Sequence, residues 1–157
     1  MRTDRQKRLD SFGSAYPQLT AVLAQIPEKL WAEKMLNGWN IHQILVHLAD
    51  AEANGFVRLR ALIAEPGKRI MAYDQEVWAK TLYYDDQDAR DAVQLFKLLR
   101  EASYRLILKL PESVWSQTIE HPEQGTLTLD DWLDTYEDHV VQHIDQIHRA
   151  AAALAAS

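Results

Sequence analysis

Two histidines one helical turn apart are the first chemical feature of the sequence. His139 and His143 stand four residues apart in a stretch with helical periodicity, so their rings project from one face. His143 also occupies a position of an apolar stripe where an aliphatic residue is expected, and a buried polar ring needs partners. This spacing can chelate one ion, although hydrogen-bonded histidines without an ion give the same pattern.

A third histidine favours the metal site. His47 lies midway along another predicted helix, beside Ile44 and Leu48, which should face the interior. Three neutral imidazoles suit Zn²⁺, Ni²⁺ or Fe²⁺, and three protein ligands leave coordination positions open, as is typical of catalytic sites. The sequence contains no cysteine, which excludes disulfides, thiolate nucleophiles and sulfur ligands. We therefore predict one divalent metal ion bound by His47, His139 and His143.

Asp50 is the predicted catalytic carboxylate. It follows His47 by three residues, close enough on a helix surface to orient that imidazole or to act as a general base. A solvated carboxylate is the alternative. Glu52 points another way and is expected to be structural or exposed. The remaining histidines fit the cluster less well. His42 and His148 are expected to be solvated, and His121 is expected in a loop.

Apolar periodicity predicts four long helices that position these residues. The first spans about residues 3–26, with kinks expected at Gly13 and Pro17 because proline removes an amide donor. The second begins after Asn40, which forms a capping box with Gln43, and ends before the Pro-Gly pair that follows it.

A long connection, residues 66–88, follows the second helix and holds a short helix around residues 75–81. Its aromatic residues are too apolar for solvent and are expected to pack over another part of the molecule. They are Tyr73, Trp78, Tyr83 and Tyr84.

The third helix is predicted over about residues 88–110, and residues 111–127 are predicted as loop. The fourth begins after Thr128, with Asp131 at the capping-box position, and continues to about Ala155. Four helices, the long connection between helices 2 and 3 and the lack of strand-like alternation predict an all-α four-helix bundle. One domain spanning residues 1–157 is the size of a typical globular unit.

Composition excludes several classes of function. The formal net charge is −6 and basic residues do not cluster, which argues against a nucleic-acid partner. No apolar run approaches the roughly 20 residues of a membrane span, and the N-terminus lacks the apolar stretch of a secretory signal. We therefore expect a cytoplasmic protein with no membrane partner.

Four segments together resemble the DinB-like superfamily, also called the DinB/YfiT-like metalloenzymes. They are residues 38–52 (GWNIHQILVHLADAE), 73–79 (YDQEVWA), 121–125 (HPEQG) and 136–147 (YEDHVVQHIDQI). Their order and spacing are similar to those of the family over nearly the whole chain. The resemblance implies a four-helix bundle with a metal, typically nickel or zinc, bound by three histidines that map onto His47, His139 and His143.

Two classes of function are consistent with this resemblance: a metal-dependent enzyme, either a transferase or a hydrolase, and a non-catalytic metal-binding bundle. Characterised members include transferases that join low-molecular-weight thiols such as bacillithiol to electrophiles, and dimers are common among them. A thiol S-transferase is therefore the favoured hypothesis, because metal coordination supplies the thiolate that a cysteine-free chain cannot. Tyr73, Asp74, Trp78 and His121 are then expected to line the entrance. A metal-dependent hydrolase and a non-catalytic, stress-related metal-binding bundle are the alternatives.

Overall fold

Six α-helices and one β-hairpin make up the computed structural model, which describes residues 2–157, with side chains from residue 4 onward. The helices are α1 (Arg2–Gly13), α2 (Ala15–Leu23), α3 (Ile41–Ala64), α4 (Gln75–Thr81), α5 (Ala89–Ile107) and α6 (Leu129–Ala155). The strands are β1 (Thr118–His121) and β2 (Gly125–Thr128). Short 3₁₀ helices cover Glu28–Leu30, Tyr84–Asp86 and Glu112–Ser116.

The predicted four-helix bundle is confirmed. Helix α3 packs against α5 and α6, and the pair α1–α2 packs against the same two helices. Helix α4 lies in the long connection between α3 and α5, with the predicted bounds. Within the described residues, none of the helices combines the length and the apolar character that crossing a membrane requires.

The first predicted helix is two helices, α1 and α2, and the break between them directly follows Gly13, one of the two predicted kink positions. The break is at Ser14, whose amide contacts both the Asp10 and Ser11 carbonyls at 3.0 and 3.1 Å. Gly13 is needed beside it, because an added Cβ would lie 2.6 Å from the ring of Tyr104 on α5. At Pro17 the helix is not interrupted, because α2 restarts at Ala15 and its first turn needs no amide donor from proline.

Both predicted capping boxes are confirmed. Asn40 Oδ1 accepts from the Gln43 amide at 2.8 Å, and Gln43 Oε1 accepts from the Asn40 amide at 3.0 Å. Thr128 and Asp131 form the same reciprocal pair at the start of α6. These caps fix where α3 and α6 begin and therefore which residues of each helix face inward.

The predicted loop at residues 111–127 is wrong in part, because it contains β1 and most of β2. Ile119 pairs with Leu127 in the antiparallel register, and Gly125 closes the turn at φ +78°. The amide of Ile70, in the connection after α3, donates to the Glu120 carbonyl at 2.9 Å. His121 consequently lies buried on a strand, not in an exposed loop. Strands of four residues lie at the lower limit of length at which alternation indicates a strand, so the signal in the sequence is weak.

A layer of polar side chains separates two apolar clusters in the core. Along α3, one cluster ends at Leu48 and the other begins at Leu59, and Glu52 lies between them. Arg100 of α5 and His139 of α6 occupy the corresponding intermediate positions on their helices. The bundle therefore has a polar level that an aliphatic core would not provide.

The polar layer is held by a buried ion pair. The guanidinium of Arg100 binds both carboxylate oxygens of Glu52, at 2.8 and 2.7 Å, and both side chains are 2% exposed. Arg100 also donates to the Tyr136 carbonyl at 3.1 Å, and its guanidinium lies 3.8 Å from the centre of the Phe12 ring. One side chain thus links four helices.

We predict that Arg100→Met lowers the free energy of unfolding by about 3–5 kcal/mol, because Glu52 is left buried and unpaired. The double variant Glu52→Leu/Arg100→Met should recover at least half of that loss, because no lone charge remains buried. Urea unfolding measures both. Arg105→Met is the control, since its guanidinium is exposed and pairs with Glu101 only at 3.7 Å. A loss below about 1 kcal/mol in the single variant would contradict this account.

Candidate metal centre

The three predicted ligand histidines converge between α3 and α6. Nε2 of His139 lies 3.0 Å from Nε2 of His47 and 3.1 Å from Nε2 of His143. Ligand nitrogens of all three rings lie within 4.8 Å of one another. Two nitrogens bound to one ion at about 2.0–2.1 Å are roughly 2.9–3.4 Å apart, so the spacing suits a single ion.

Burial keeps the three rings neutral. His47 is fully buried, and His139 and His143 are half-buried. Burial, with a smaller contribution from the neighbouring rings, lowers the pKa of His47 to about 3 and that of His139 to about 2. Burial also lowers the pKa of His143. Near neutral pH each ring therefore offers a lone pair, which is the form that binds a metal.

No placement of the ring protons allows all three Nε2 atoms of the cluster to form good hydrogen bonds to one another. Nδ1 of His143 lies 2.8 Å from Oε1 of Gln146, so Nδ1 carries the proton and Nε2 carries a lone pair. If His139 Nε2 is protonated, it can donate a linear hydrogen bond to only one of its two neighbours. If it is not, its lone pair faces that of His143. A cation at the centre would accept all three lone pairs.

The surroundings of His47 are aromatic. The ring of Trp39 packs 4.8 Å from the His47 ring, and its Nε1 donates to Glu76 Oε2 at 3.2 Å. Nδ1 of His47 is buried and has no hydrogen-bond partner among the residues that the structure describes. An orphaned polar atom in the core costs stability, so this ring occupies its position for a reason other than packing.

Asp50 lies next to the cluster in sequence but is bound elsewhere. Its Oδ2 accepts a hydrogen bond of 2.6 Å from the hydroxyl of Tyr84, which is buried in the connection. A hydrogen bond from a His47 ring nitrogen to Asp50, which an orienting role requires, is absent from the described part of the chain. Burial, together with the hydrogen bond to Asp50, raises the pKa of Tyr84, so the phenol stays protonated. Asp50 therefore anchors the connection to α3.

The connection packs over the site, as its aromatic content predicted. Tyr84 is 1% exposed, and the Tyr73 and Trp78 rings stack with centroids 4.4 Å apart. Asp74 has a structural role, because its carboxylate accepts from two amides in the first turn of α4. Tyr83 is the exception, being 69% exposed in a left-handed conformation.

The remaining histidines and Glu52 are distributed as follows. His148 is exposed, as expected. His42 is half-buried and its Nε2 lies 3.1 Å from the Tyr84 carbonyl, so the expectation of a solvated ring is wrong for it. Glu52, expected to be either structural or exposed, is buried and structural.

Gly55 lets α6 approach α3 closely enough for His139 to reach His47. A Cβ on Gly55 would lie 2.5 Å from the ring of Tyr136. The Gly55 carbonyl also accepts from Trp132 Nε1 at 3.1 Å. Because Tyr136 lies one helical turn before His139, this contact fixes the spacing of the two helices at the site.

A cavity of about 230 Å³ adjoins His139. Tyr73 and His121, both expected at the entrance, line it, whereas Trp78 lines a neighbouring groove. Arg58 and Gln146 were not predicted from the sequence as parts of the site. Gln146 could have been found, because it follows His143 by one helical turn, but the position of Arg58 depends on how the connection folds.

The arrangement fits a divalent metal ion. The donor set is three neutral nitrogens at ligand spacing, and a cation resolves the conflict between their lone pairs. The adjoining cavity leaves space for a further ligand. The sequence-predicted set of His47, His139 and His143 is thus brought together, whereas the carboxylate of Asp50 binds Tyr84 and forms no hydrogen bond to these rings among the described residues.

Comparison with known proteins places these features in a family. Residues 11–147 match the model of the DinB superfamily. A relative from Oceanobacillus iheyensis is 28% identical over 120 residues, covering 76% of this chain and 69% of the relative. YfiT from Bacillus subtilis is 26% identical over 111 residues, covering 70% and 62%. Both bear the provisional name of metal-dependent hydrolase.

Two solved structures share the fold. The YfiT structure, described as an unusual four-helix bundle, superimposes with a TM-score of 0.90 at 20% identity, over 99% of this chain and 90% of that one. A mycothiol-dependent maleylpyruvate isomerase gives a TM-score of 0.73 at 12% identity, over 90% and 60%. Since the family model covers most of the sequence, the chain belongs to the DinB superfamily.

Proposed function

We propose that this protein is a metal-dependent transferase that joins a low-molecular-weight thiol to an electrophile. His47, His139 and His143 would bind the divalent ion, for which nickel and zinc are the favoured candidates. The observation that carries the proposal is the convergence of three neutral Nε2 atoms beside an open cavity. A divalent ion held there would lower the pKa of a bound thiol or water molecule.

The residues of the chain supply the rest of the site. Gln146 holds His143 in one tautomer through its Nδ1 proton, which keeps Nε2 directed at the cluster. The connection, with Tyr73 and Tyr84, limits access of water to α3. Asp50 remains our candidate for the group that accepts the thiol proton, because Tyr84 occupies only its Oδ2.

Hydrolysis is the other function with support of its own. The relatives' provisional name of metal-dependent hydrolase favours hydrolysis at the same centre. The fold likeness to a mycothiol-dependent isomerase favours thiol chemistry, which is why we prefer the transferase. In a non-catalytic, stress-related bundle, loss of a histidine would change stability and no reaction. A homodimer and a cytoplasmic location remain predictions from the sequence.

The first prediction concerns metal binding. Wild-type protein should bind one Zn²⁺ or Ni²⁺ per chain in isothermal titration calorimetry, and His47→Ala, His139→Ala and His143→Ala should each abolish this binding. His148→Ala is the matched control, because this exposed histidine lies on the same helix as two of the ligands. Circular dichroism verifies that the variants are folded. Unchanged binding in a folded ligand variant would exclude the three-histidine site.

The second prediction concerns Gln146. Gln146→Ala should weaken metal affinity by roughly 10–100-fold, because the ring of His143 loses the acceptor that orients it. Gln142→Ala on the same helix should leave affinity unchanged, since that side chain is exposed. Competition with a chromophoric chelator measures both affinities. Equal affinities for the two variants would contradict this role of Gln146.

The third prediction concerns turnover. Metal-loaded protein should accelerate the reaction of 1-chloro-2,4-dinitrobenzene with at least one thiol of a panel that includes bacillithiol. Asp50→Asn should reduce kcat about 100-fold, because the amide cannot accept the thiol proton, while metal binding persists. Asp138→Asn, an exposed neighbour of His139, is the control. No acceleration with any thiol or metal would reject the transferase, and ester hydrolysis would then be assayed.

A further inference from the structure

Arg58 has no carboxylate partner among the described residues, unlike three other arginines of similar or deeper burial. Arg60 is also half-buried and without a carboxylate, but its guanidinium stacks on the Phe56 ring. Arg5, Arg8 and Arg100 are all at least half-buried and bind carboxylates at 2.8 Å or less. Arg58 is half-buried too, yet within the described part of the chain no acidic group lies at ion-pair distance from it. In a protein with a formal net charge of −6, such a cation is available for an external anion.

The guanidinium of Arg58 is held rigidly in the wall of the cavity beside His139. Its Nη1 donates to the Tyr136 hydroxyl at 3.1 Å, and its Nη2 donates to the Met71 carbonyl at 2.6 Å. These two neutral acceptors fix its orientation and leave its charge uncompensated. A guanidinium has five N–H donors, so further donors remain for a ligand.

His121 offers a second donor in the same cavity. Its Nδ1 accepts hydrogen bonds of 3.2 Å from the amides of Glu123 and Gln124 in the hairpin turn. A neutral imidazole that accepts at Nδ1 carries its proton at Nε2. Burial and the charge of Arg58 both lower the pKa of His121, which favours this neutral donor form. The ring is 7% exposed and lines the cavity together with Arg58.

The acidic groups around the cavity do not neutralise this pair of donors. Glu123 lines the cavity but is exposed at its rim, and it forms no ion pair with Arg58. Asp50, on the same helix as Arg58, is bound by Tyr84. The cavity wall near Arg58 and His121 therefore presents donors to a ligand that reaches His139.

We propose that this cavity binds a carboxylate group of the substrate, with Arg58 as the charged donor and His121 Nε2 as the second donor. The planar guanidinium matches a carboxylate, and the volume of about 230 Å³ suits a small acid. The proposal rests on the proposed function in one respect, that the bound acid is part of the thiol or of the electrophile. Binding of the carboxylate itself requires no turnover.

The binding experiment uses succinate, which carries no thiol, and metal-loaded protein in isothermal titration calorimetry. Arg58→Gln should weaken succinate binding about tenfold or more, because a charge-assisted hydrogen bond is lost. Arg60→Gln is the matched control, since this arginine lies two residues away and stacks on Phe56 outside the cavity. His121→Asn should also weaken binding, because its Oδ1 can replace Nδ1 in the turn while the Nε2 donor is lost.

The kinetic experiment identifies which substrate carries the carboxylate. With 1-chloro-2,4-dinitrobenzene, the KM for mercaptosuccinate should rise about tenfold in Arg58→Gln while that for 2-mercaptoethanol stays constant, if the thiol is the acid. If the electrophile is the acid, the KM for 4-chloro-3,5-dinitrobenzoate should rise instead. In either reaction the C–S bond forms, chloride leaves the ring and the thiol proton is released.

Failure of this proposal is distinguishable from failure of the transferase. Equal succinate binding by wild type and Arg58→Gln would overturn the carboxylate site. The same holds if chelation of the metal abolishes succinate binding while Arg58→Gln leaves it unaffected, because the ligand would then bind the metal. Neutral thiols would still be conjugated in that case. If no thiol is conjugated but Arg58-dependent succinate binding persists, the cavity is a carboxylate site and the transferase alone is rejected.

Discussion

The structure of the site depends on three neutral imidazoles, one buried and two half-buried, that are directed at one another. Rings of this kind cannot all be satisfied by the hydrogen bonds available to them, since Gln146 fixes the proton of His143 on the side away from the cluster. His139 Nε2 contacts both neighbours, so it can either donate to one of them or direct its lone pair at that of His143, and neither state satisfies both contacts. A protein that needed only a packed core would fill these positions with aliphatic side chains, so the cost of the cluster indicates a ligand.

The rest of the fold maintains this cluster at a defined level of the bundle. The buried pair of Glu52 and Arg100 lies at the same boundary between the two apolar clusters, and the positive charge of Arg100 also disfavours protonation of His139. Gly55 sets how closely α6 approaches α3. The polar layer therefore contributes to both stability and function, because the ion pair that links the helices also changes the electrostatic environment of the histidines.

Much of the site could be predicted because its information is local. Helical periodicity places His139 and His143 on one face, and capping residues such as Asn40 and Thr128 fix the phase of their helices. The missing parts depend on contacts distant in sequence. Asp50 is bound by Tyr84, 34 residues away, and the cavity forms only where the hairpin and the connection meet α3. A kink at Gly13 could be predicted locally, but the close approach of the Tyr104 ring to Gly13 is a contact distant in sequence.

The most direct test of the central claim is X-ray absorption spectroscopy at the metal edge of protein purified without an affinity tag and supplied with Zn²⁺ or Ni²⁺. The account predicts one ion per chain with the outer-shell scattering of three imidazoles and a further light-atom ligand. An ion that shows no imidazole scattering, or a folded chain that takes up no ion, would contradict it.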